Sequence, residues 1–355
     1  MPAKRLLILG LSVTLCFLSG LVALGCAGGP ESKADARPAA GVAQAGLSAA
    51  WDADVKAKLE GLLAERGQGA AGYDPASPPV VVFDFDNTCI RGDIGRAFYD
   101  FMVREQRLRF DESVWTALPE DKRADLRAAW DALQALAAEA RGASVDLQRF
   151  RKLMHQAYWS LCSELEPAQC YPWQVRFYAG YTPAEIEALG REVMQAELQK
   201  RLGSEPIRAG EDDPAPAITS TGIRVHEPVR ELMGAMDAAG FEVWVVSAGP
   251  QWVVRGAASV FPVKPERVLG MRTRLQDGKL TTDMEEPPTF RQGKVDAIQK
   301  FIGRRPVLAL GDSWTDAEML GHAEHALLLD RGYEDLKKKA DEAGWWLQPE
   351  FPLQK

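Results

Sequence analysis

The sequence has 355 residues, 46% of them hydrophobic and 26% charged, with a formal net charge of −8. That length and apolar content exclude a disordered chain and suffice for one large domain or two modest ones. The acidic balance argues against a broad nucleic-acid-binding surface, five cysteines are too few for a disulfide-built scaffold, and four histidines without paired metal-site spacing give a zinc centre little support.

Lys4 and Arg5 precede an uncharged apolar run from Leu6 to Gly25, the pattern of a secretion signal. The run is 20 residues long, enough to span a bilayer, so a retained membrane helix is the alternative. Ala23-Leu24-Gly25-Cys26 resembles the lipobox of bacterial lipoproteins, though with the large and small residues before the cysteine in reversed order. That resemblance implies loss of residues 1–25, a lipid anchor on Cys26 and a place in the bacterial cell envelope facing the periplasm. A soluble periplasmic or secreted protein is the alternative. Residues 26–50, rich in Ala, Gly, Ser and Pro, read as a flexible tether. In an oxidising compartment Cys162 and Cys170, eight positions apart, are expected to form a disulfide worth about 2–3 kcal/mol, against two separate buried thiols.

The folded part is expected from Trp51 onward. Residues 52–65 carry Val55, Leu59, Leu62 and Leu63 among charges, a short amphipathic helix. After Pro78-Pro79, the run Val80-Val81-Val82-Phe83 has the look of a strand covered on both faces. Similar strands are predicted at 241–246, 306–310 and 326–329, each following a helical pattern (229–236, 293–301 and a short helix near Asp316). Such alternation predicts an α/β fold, an open parallel sheet between two helix layers, with ligands beyond the carboxyl ends of the strands. Residues 93–222 differ in texture and read as an inserted all-helical region, with helical faces around Leu126–Ala137, Phe150–Tyr158 and Ile186–Leu198. The Pro- and Asp-containing stretch 202–220 reads as its exit linker. The core is thus expected to be split between 51–92 and 223–355, and two unrelated tandem domains are the alternative. Ala343-Gly344-Trp345-Trp346-Leu347 is apolar enough to close the sheet or pack on it.

Four short segments fall at or near strand exits. In Asp84-Phe85-Asp86-Asn87-Thr88, two carboxylates at about 4 Å and an effective dielectric near 20 would repel by about 4 kcal/mol. A divalent cation removes that repulsion, and carboxylate plus backbone oxygens suit octahedral magnesium; a turn with capping aspartates is the alternative. Ser247, followed by Ala248 and Gly249, can present O–H and N–H donors to an anion. Lys294 starts a helix, where the helix dipole disfavours a cation, which hints at an anionic partner. Gly311-Asp312-Ser313-Trp314-Thr315-Asp316 brings two more carboxylates to a strand exit.

Together these segments, in this order, resemble the haloacid-dehalogenase superfamily of hydrolases, in its phosphoserine-phosphatase-like branch; the stretch from Arg267 to Thr281 is similar as well. The resemblance implies a Rossmann-like three-layer core, a helical cap between the first two motifs, and magnesium as cofactor. It implies Asp84 as nucleophile and Asp86 as acid and base, with the Asp86 backbone oxygen on the metal. Asp312 would be a side-chain ligand, and Asp316 would hold metal-bound water or orient Lys294. Ser247 and Lys294, with Ala248 and Gly249, would hold the phosphoryl oxygens. Asp93 resembles the acidic position that contacts a substrate amine or orients the cap, where the family usually carries Glu. Cys89 reads as a buried thiol without a catalytic part.

The insertion is rich in aromatics, among them Tyr158, Trp159, Tyr171, Trp173, Phe177, Tyr178 and Tyr181. Aromatic faces attract quaternary ammonium groups by about 0.5–2 kcal/mol per contact. The chain is also similar to exported bacterial phosphatases acting on phosphocholine or phosphoethanolamine, chiefly in 245–248 and in Gly180-Tyr181-Thr182-Pro183. A small phosphorylated amino alcohol is therefore the expected substrate. A phosphoserine-type or broad-specificity phosphatase and an inactive lipid-tethered binding protein are the alternatives. No segment of the sequence specifies an oligomeric state.

Overall fold

The computed structural model of the protein describes residues 46–164 and 167–352. Among the described residues no helix is long and apolar enough to cross a membrane. The apolar run Leu6–Gly25 and Cys26 lie outside them. Residues 46–50 depart from the expected tether. Leu47 is buried, and its N–H donates to Glu60 Oε1 at 3.1 Å, so the packed chain starts before Trp51.

Seven strands form one sheet in the order Trp346–Pro349, His325–Asp330, Leu308–Gly311, Val80–Phe83, Glu242–Pro250, Val268–Gln276 and Lys279–Glu285. All neighbours are parallel except the last pair, a hairpin turned by Asp277 and Gly278 at positive φ. The apolar stretch near the C-terminus does close the sheet, as the Trp346–Pro349 edge strand. Val80–Phe83 is the central strand, and its side chains alternate between two cores. Val81 and Phe83 pack with Leu59, Leu232, Met236 and Val253, whereas Val80 and Val82 pack with Ile298, Met319, Leu320 and Leu336. This is why four apolar residues in a row appear here: a strand with helices on both faces has no solvent side.

The helix Ala53–Arg66 begins at Asp52, whose carboxylate accepts from the N–H groups of Asp54 and Val55. The predicted helix 293–301 is Gln292–Ala297 followed by a π-helical turn, Ile298–Ile302. The strand predicted at 241–246 runs to Pro250, so Ser247 lies within it and not at its end.

The inserted region leaves and rejoins the core through a two-residue antiparallel pair, Ile90-Arg91 with Arg224-Val225. Its helices include Ile94–Arg104, Glu120–Ala135, Val145–Glu164, Pro167–Val175 and Pro183–Gln199. The stretch expected to be a linker is instead a β-hairpin, Gly203–Ile207 with Ala217–Thr221. Its strands are mostly exposed and carry no apolar alternation, so nothing in the pattern marked them as strands. Cys162 is disulfide-bonded. The Cys170 side chain lies outside those described, so the expected Cys162–Cys170 pairing stays an expectation.

Candidate active site

Sheet topology puts Asp84 and Asp312 side by side. Val80–Phe83 and Leu308–Gly311 are hydrogen-bonded neighbours, but the chain passes from the first to Glu242–Pro250 on the opposite side before returning. At such a switch point the two exits diverge and leave a crevice. Asp84 and Asp312 are the first residues beyond their strands, and the Asp84 N–H donates to Leu310 O at 2.9 Å. After Asp84 the chain folds back, with Cys89 N and Ile90 N donating to Phe85 O and Asn87 at φ 60°. The Cys89 thiol donates to Asp84 O at 3.0 Å; burial pushes its pKa up, in keeping with an inert thiol.

Beneath the crevice lies an ionic triad. Lys294 is fully buried, with Nζ 2.6 Å from Asp84 Oδ1 and 2.7 Å from Asp316 Oδ1. Burial alone would lower the lysine pKa, but Asp316 and Asp84 outweigh it and hold the ammonium charged. Asp316 Oδ2 accepts from Asp312 N, Ser313 N and Ser313 Oγ, each at 3.1 Å, so this carboxylate fixes both Lys294 and the loop carrying Asp312. A Cβ on Gly311 would stand 2.5 Å from Asp316 Cβ, which explains the glycine before Asp312.

The acids are electrostatically crowded. Burial, with Asp316 adding, pushes Asp84 up to about 6 against the opposing pull of Lys294. Burial and then Asp93 raise Asp86 well above the carboxylate range, although the Ile94 N–H, 2.7 Å from Asp86 Oδ1, works against this. Burial, Asp316 and Asp84 raise Asp312 likewise, opposed by Arg331. Carboxylate oxygens of Asp84, Asp312 and Asp316 lie within 4.8 Å of one another. The three clustered carboxylates face two cations, Lys294 and Arg331, so the carboxylates outnumber the positive side chains and a bound cation would offset the excess. Oxygen donors at this spacing suit a hard ion. The Asp86 side chain is not part of the three-carboxylate cluster.

Asp84, Asp86, Asp93, Ser247, Ala248, Gly249 and Asp312 all border one cavity of about 350 Å³. Lys294 and Asp316 lie under its floor and meet it only through Asp84 and the 312–313 loop. Ser247 is buried; its Oγ accepts from Gly249 N at 3.0 Å where the strand register breaks between Val246 and Pro250. A Cβ on Gly249 would stand 3.0 Å from Val254 Cγ2 and 3.3 Å from Asp86 Oδ2, so a larger residue would crowd the acid. Asp93 has two parts: Oδ1 caps the helix Ile94–Arg104 through Arg96 N at 2.8 Å, and the carboxylate borders the cavity.

Of the cap aromatics only Tyr158 and Tyr171 reach the cavity. Trp173, Phe177 and Tyr178 are core residues packed around Tyr99 and Phe98. Trp159 lies under the Arg96 guanidinium, 4.7 Å from its ring centroid. Tyr181 stacks beneath Arg109 at 3.6 Å, and Thr182 forms a capping box with Glu185, so that similar stretch is structural and stands outside the cavity.

Sequence reasoning passed over Arg96, Gln174, Arg331 and Tyr333, which border the same cavity. Arg96 had a signal, one helical turn after Asp93, and its Nη2 is 3.2 Å from Asp93 Oδ2. Arg331 had one too, following the His325–Asp330 strand at the sheet's ligand-binding edge. Gln174 had none: it arrives from a distant helix, donating to Gly95 O. Thr88 closes its own loop onto the next strand exit, donating from Oγ1 to Asp312 Oδ1 at 3.1 Å.

The haloacid dehalogenase-like hydrolase family model matches residues 140–321, just over half of the chain. The protein belongs to this family. A phosphorylcholine phosphatase of Pseudomonas aeruginosa (strain PAO1) is 31% identical over 208 residues. The match covers 48% of this chain and 57% of that protein, so the chain spans little more than half the length of this relative. A conserved protein of unknown function from Anaerococcus prevotii DSM 20548 has the same fold, with a TM-score of 0.72 at 24% identity over 84% of this chain and 92% of that one. The chain therefore has the architecture of a hydrolase, with an aspartate cluster suited to a divalent cation.

Proposed function

We propose that the protein is a magnesium-dependent phosphomonoester hydrolase that works through an aspartyl-phosphate on Asp84. The observation that carries this is the Lys294 bridge, which aims Asp84 from a buried charged floor into a cavity bordered by Asp86, Ser247 and Asp312. An Asp84 oxygen attacks phosphorus while the bond to the departing alcohol breaks, and Asp86 gives that alcohol its proton. Water then attacks the same phosphorus and Asp86 takes its proton. The bond to Asp84 breaks, releasing phosphate. The raised pKa of Asp86 suits an acid that must hold a proton near neutrality.

Ser247 and the Ala248–Gly249 backbone stand where phosphoryl oxygens would gather, and Lys294 supplies positive charge beneath them. Asp84, Asp312 and the Asp86 backbone oxygen would hold magnesium, with Asp316 fixing the loop; the ion would neutralise charge on the transferred group. Hydrolysis of p-nitrophenyl phosphate that stops on chelation and returns with Mg2+ tests the reading. Asp84→Ala should be inactive and should trap no phosphate on the protein. Turnover close to normal in that variant would end the covalent scheme.

For substrate, a small phosphorylated amino alcohol such as phosphocholine or phosphoethanolamine is the first reading. It is supported by likeness to the P. aeruginosa phosphatase and by the Tyr158 and Tyr171 rings beside the Asp93 carboxylate. Arg96 favours a second reading, a phosphoserine-type substrate, because its guanidinium offsets Asp93 and can receive a carboxylate. Comparing kcat/KM for phosphocholine, phosphoethanolamine, phosphoserine and glycerol phosphate separates them. A preference for phosphoserine that Arg96→Gln removes would decide for the second. The charged start and apolar run of residues 4–25 support export; activity that stays with the envelope fraction is expected of a lipid-anchored form and activity released by osmotic shock of a soluble periplasmic one, and activity confined to the cytosol would refute export.

A further inference from the structure

Neither carboxylate oxygen of Asp312 is without a partner. Oδ1 accepts from Thr88 Oγ1 at 3.1 Å, and Oδ2 accepts from Arg331 Nη1 at 2.8 Å. The two partners differ in kind. Thr88 is fully buried and held by its own loop, whereas the Arg331 side chain is 33% exposed and hangs on a flexible stem. Arg331 directly follows the strand His325–Asp330, which pairs with the strand leading to Asp312. It approaches the carboxylate along the rim of the cavity. The same side chain borders a second, smaller cavity of about 150 Å³, lined also by Asn87, Asp93 and Glu197. That cavity, which Arg96 also lines, is the volume beside the Arg331 side chain.

We propose that Arg331 is the exchangeable counter-ion of Asp312. Its guanidinium neutralises this buried carboxylate and occupies the oxygen that a divalent cation would take. When a divalent cation arrives, Arg331 gives up Oδ2 and turns toward the smaller cavity. A monovalent, weakly hydrated guanidinium on a long stem is suited to leave, and a compact divalent ion is the stronger partner for an oxygen set of this spacing. Arg331 is then a positioning residue acting through Asp312. Its effect on the cation is competition, the opposite of an outer partner that orients a ligand and strengthens binding. The inference rests on the cation-dependent reading above.

The test uses the full chain stripped with EDTA, as wild type, Arg331→Gln and Arg331→Lys, titrated with Mg2+ and with Mn2+ by calorimetry. Loss of the competitor should tighten cation binding in Arg331→Gln by about tenfold, because free energy lost from the metal-free state alone reappears as affinity. Arg331→Lys, which keeps a cation, should fall between and serves as the folded control. Metal-free Arg331→Gln should also melt below wild type, and the gap should close at saturating Mg2+. Unchanged or weaker cation binding in Arg331→Gln would overturn the exchange while leaving the hydrolase reading intact. Failure of both ions to bind wild type would overturn both.

Discussion

Lys294→Met is the most informative single change. The methionine fills similar volume but removes the one ammonium that sits 2.6 Å from Asp84 and 2.7 Å from Asp316, in a spot with no exposure. Two carboxylates then share a buried site without their counter-ion. Breaking a buried pair by deleting one partner typically destabilises by about 3–5 kcal/mol, since the abandoned charge has lost its water and gained nothing in return. For a domain of this size about 2 °C per kcal/mol applies, so the melting temperature should fall by roughly 6–10 °C. Urea denaturation in EDTA would measure the loss with no bound cation to disguise it. The double variant Lys294→Met with Asp316→Asn should recover part of it, because one of the two stranded charges is gone. Turnover should drop by roughly 10²–10³ even at temperatures where the variant is folded, since positive charge beneath the reacting group has been removed. A stability loss below about 1 kcal/mol would refute the reasoning, for it would mean the triad stands in an environment far wetter than its burial implies.

Three further outcomes follow from single contacts. Asp86→Asn should keep cation binding and the native circular dichroism while losing about 10²–10⁴ in kcat, as expected if only proton transfer is lost; unimpaired kcat would remove Asp86 from the chemistry. Gly311→Ala places a methyl group 2.5 Å from Asp316 Cβ, and the overpacking should lower stability by about 1–3 kcal/mol in urea. An unchanged midpoint would show that the loop can give way. His226 is buried with Nδ1 3.0 Å from Thr88 O, and burial holds its pKa below the ordinary 6.5. The unfolded chain therefore takes up a proton first, and stability should fall as pH drops through about 6.5. His226→Asn should flatten that slope by up to about 1.4 kcal/mol per pH unit between pH 7.5 and 5.5, and an identical slope would show that the ring does not change charge on unfolding.

Much of the core was legible because its signals are local. Val80–Phe83 is four apolar residues followed at once by Asp84, and a strand buried on both faces can end in a carboxylate only where the sheet opens. The same logic located Asp312. Aromatic content could not say which rings line the cavity. Tyr158 and Phe177 are both buried and both pack against Tyr99 and Trp173, yet only Tyr158 also borders the cavity. Spacing along a helix says which residues share a face, and only packing against other helices says what that face meets. The hairpin 203–221 escaped for a related reason: its strands pair with each other at the surface and carry no burial pattern.

The sequence by itself determined the central parallel strands, the acids at their exits and the order of the four motifs, since all are written in runs of a few neighbouring residues, but not the antiparallel edge hairpin Val268–Gln276 with Lys279–Glu285. Tertiary structure alone decided the balance of charge. It sank Lys294 beneath Asp84 and joined Arg331 to Asp312. Electrostatic energy depends on distance and solvent exposure, and residues 210 positions apart in the chain acquire both only when it folds.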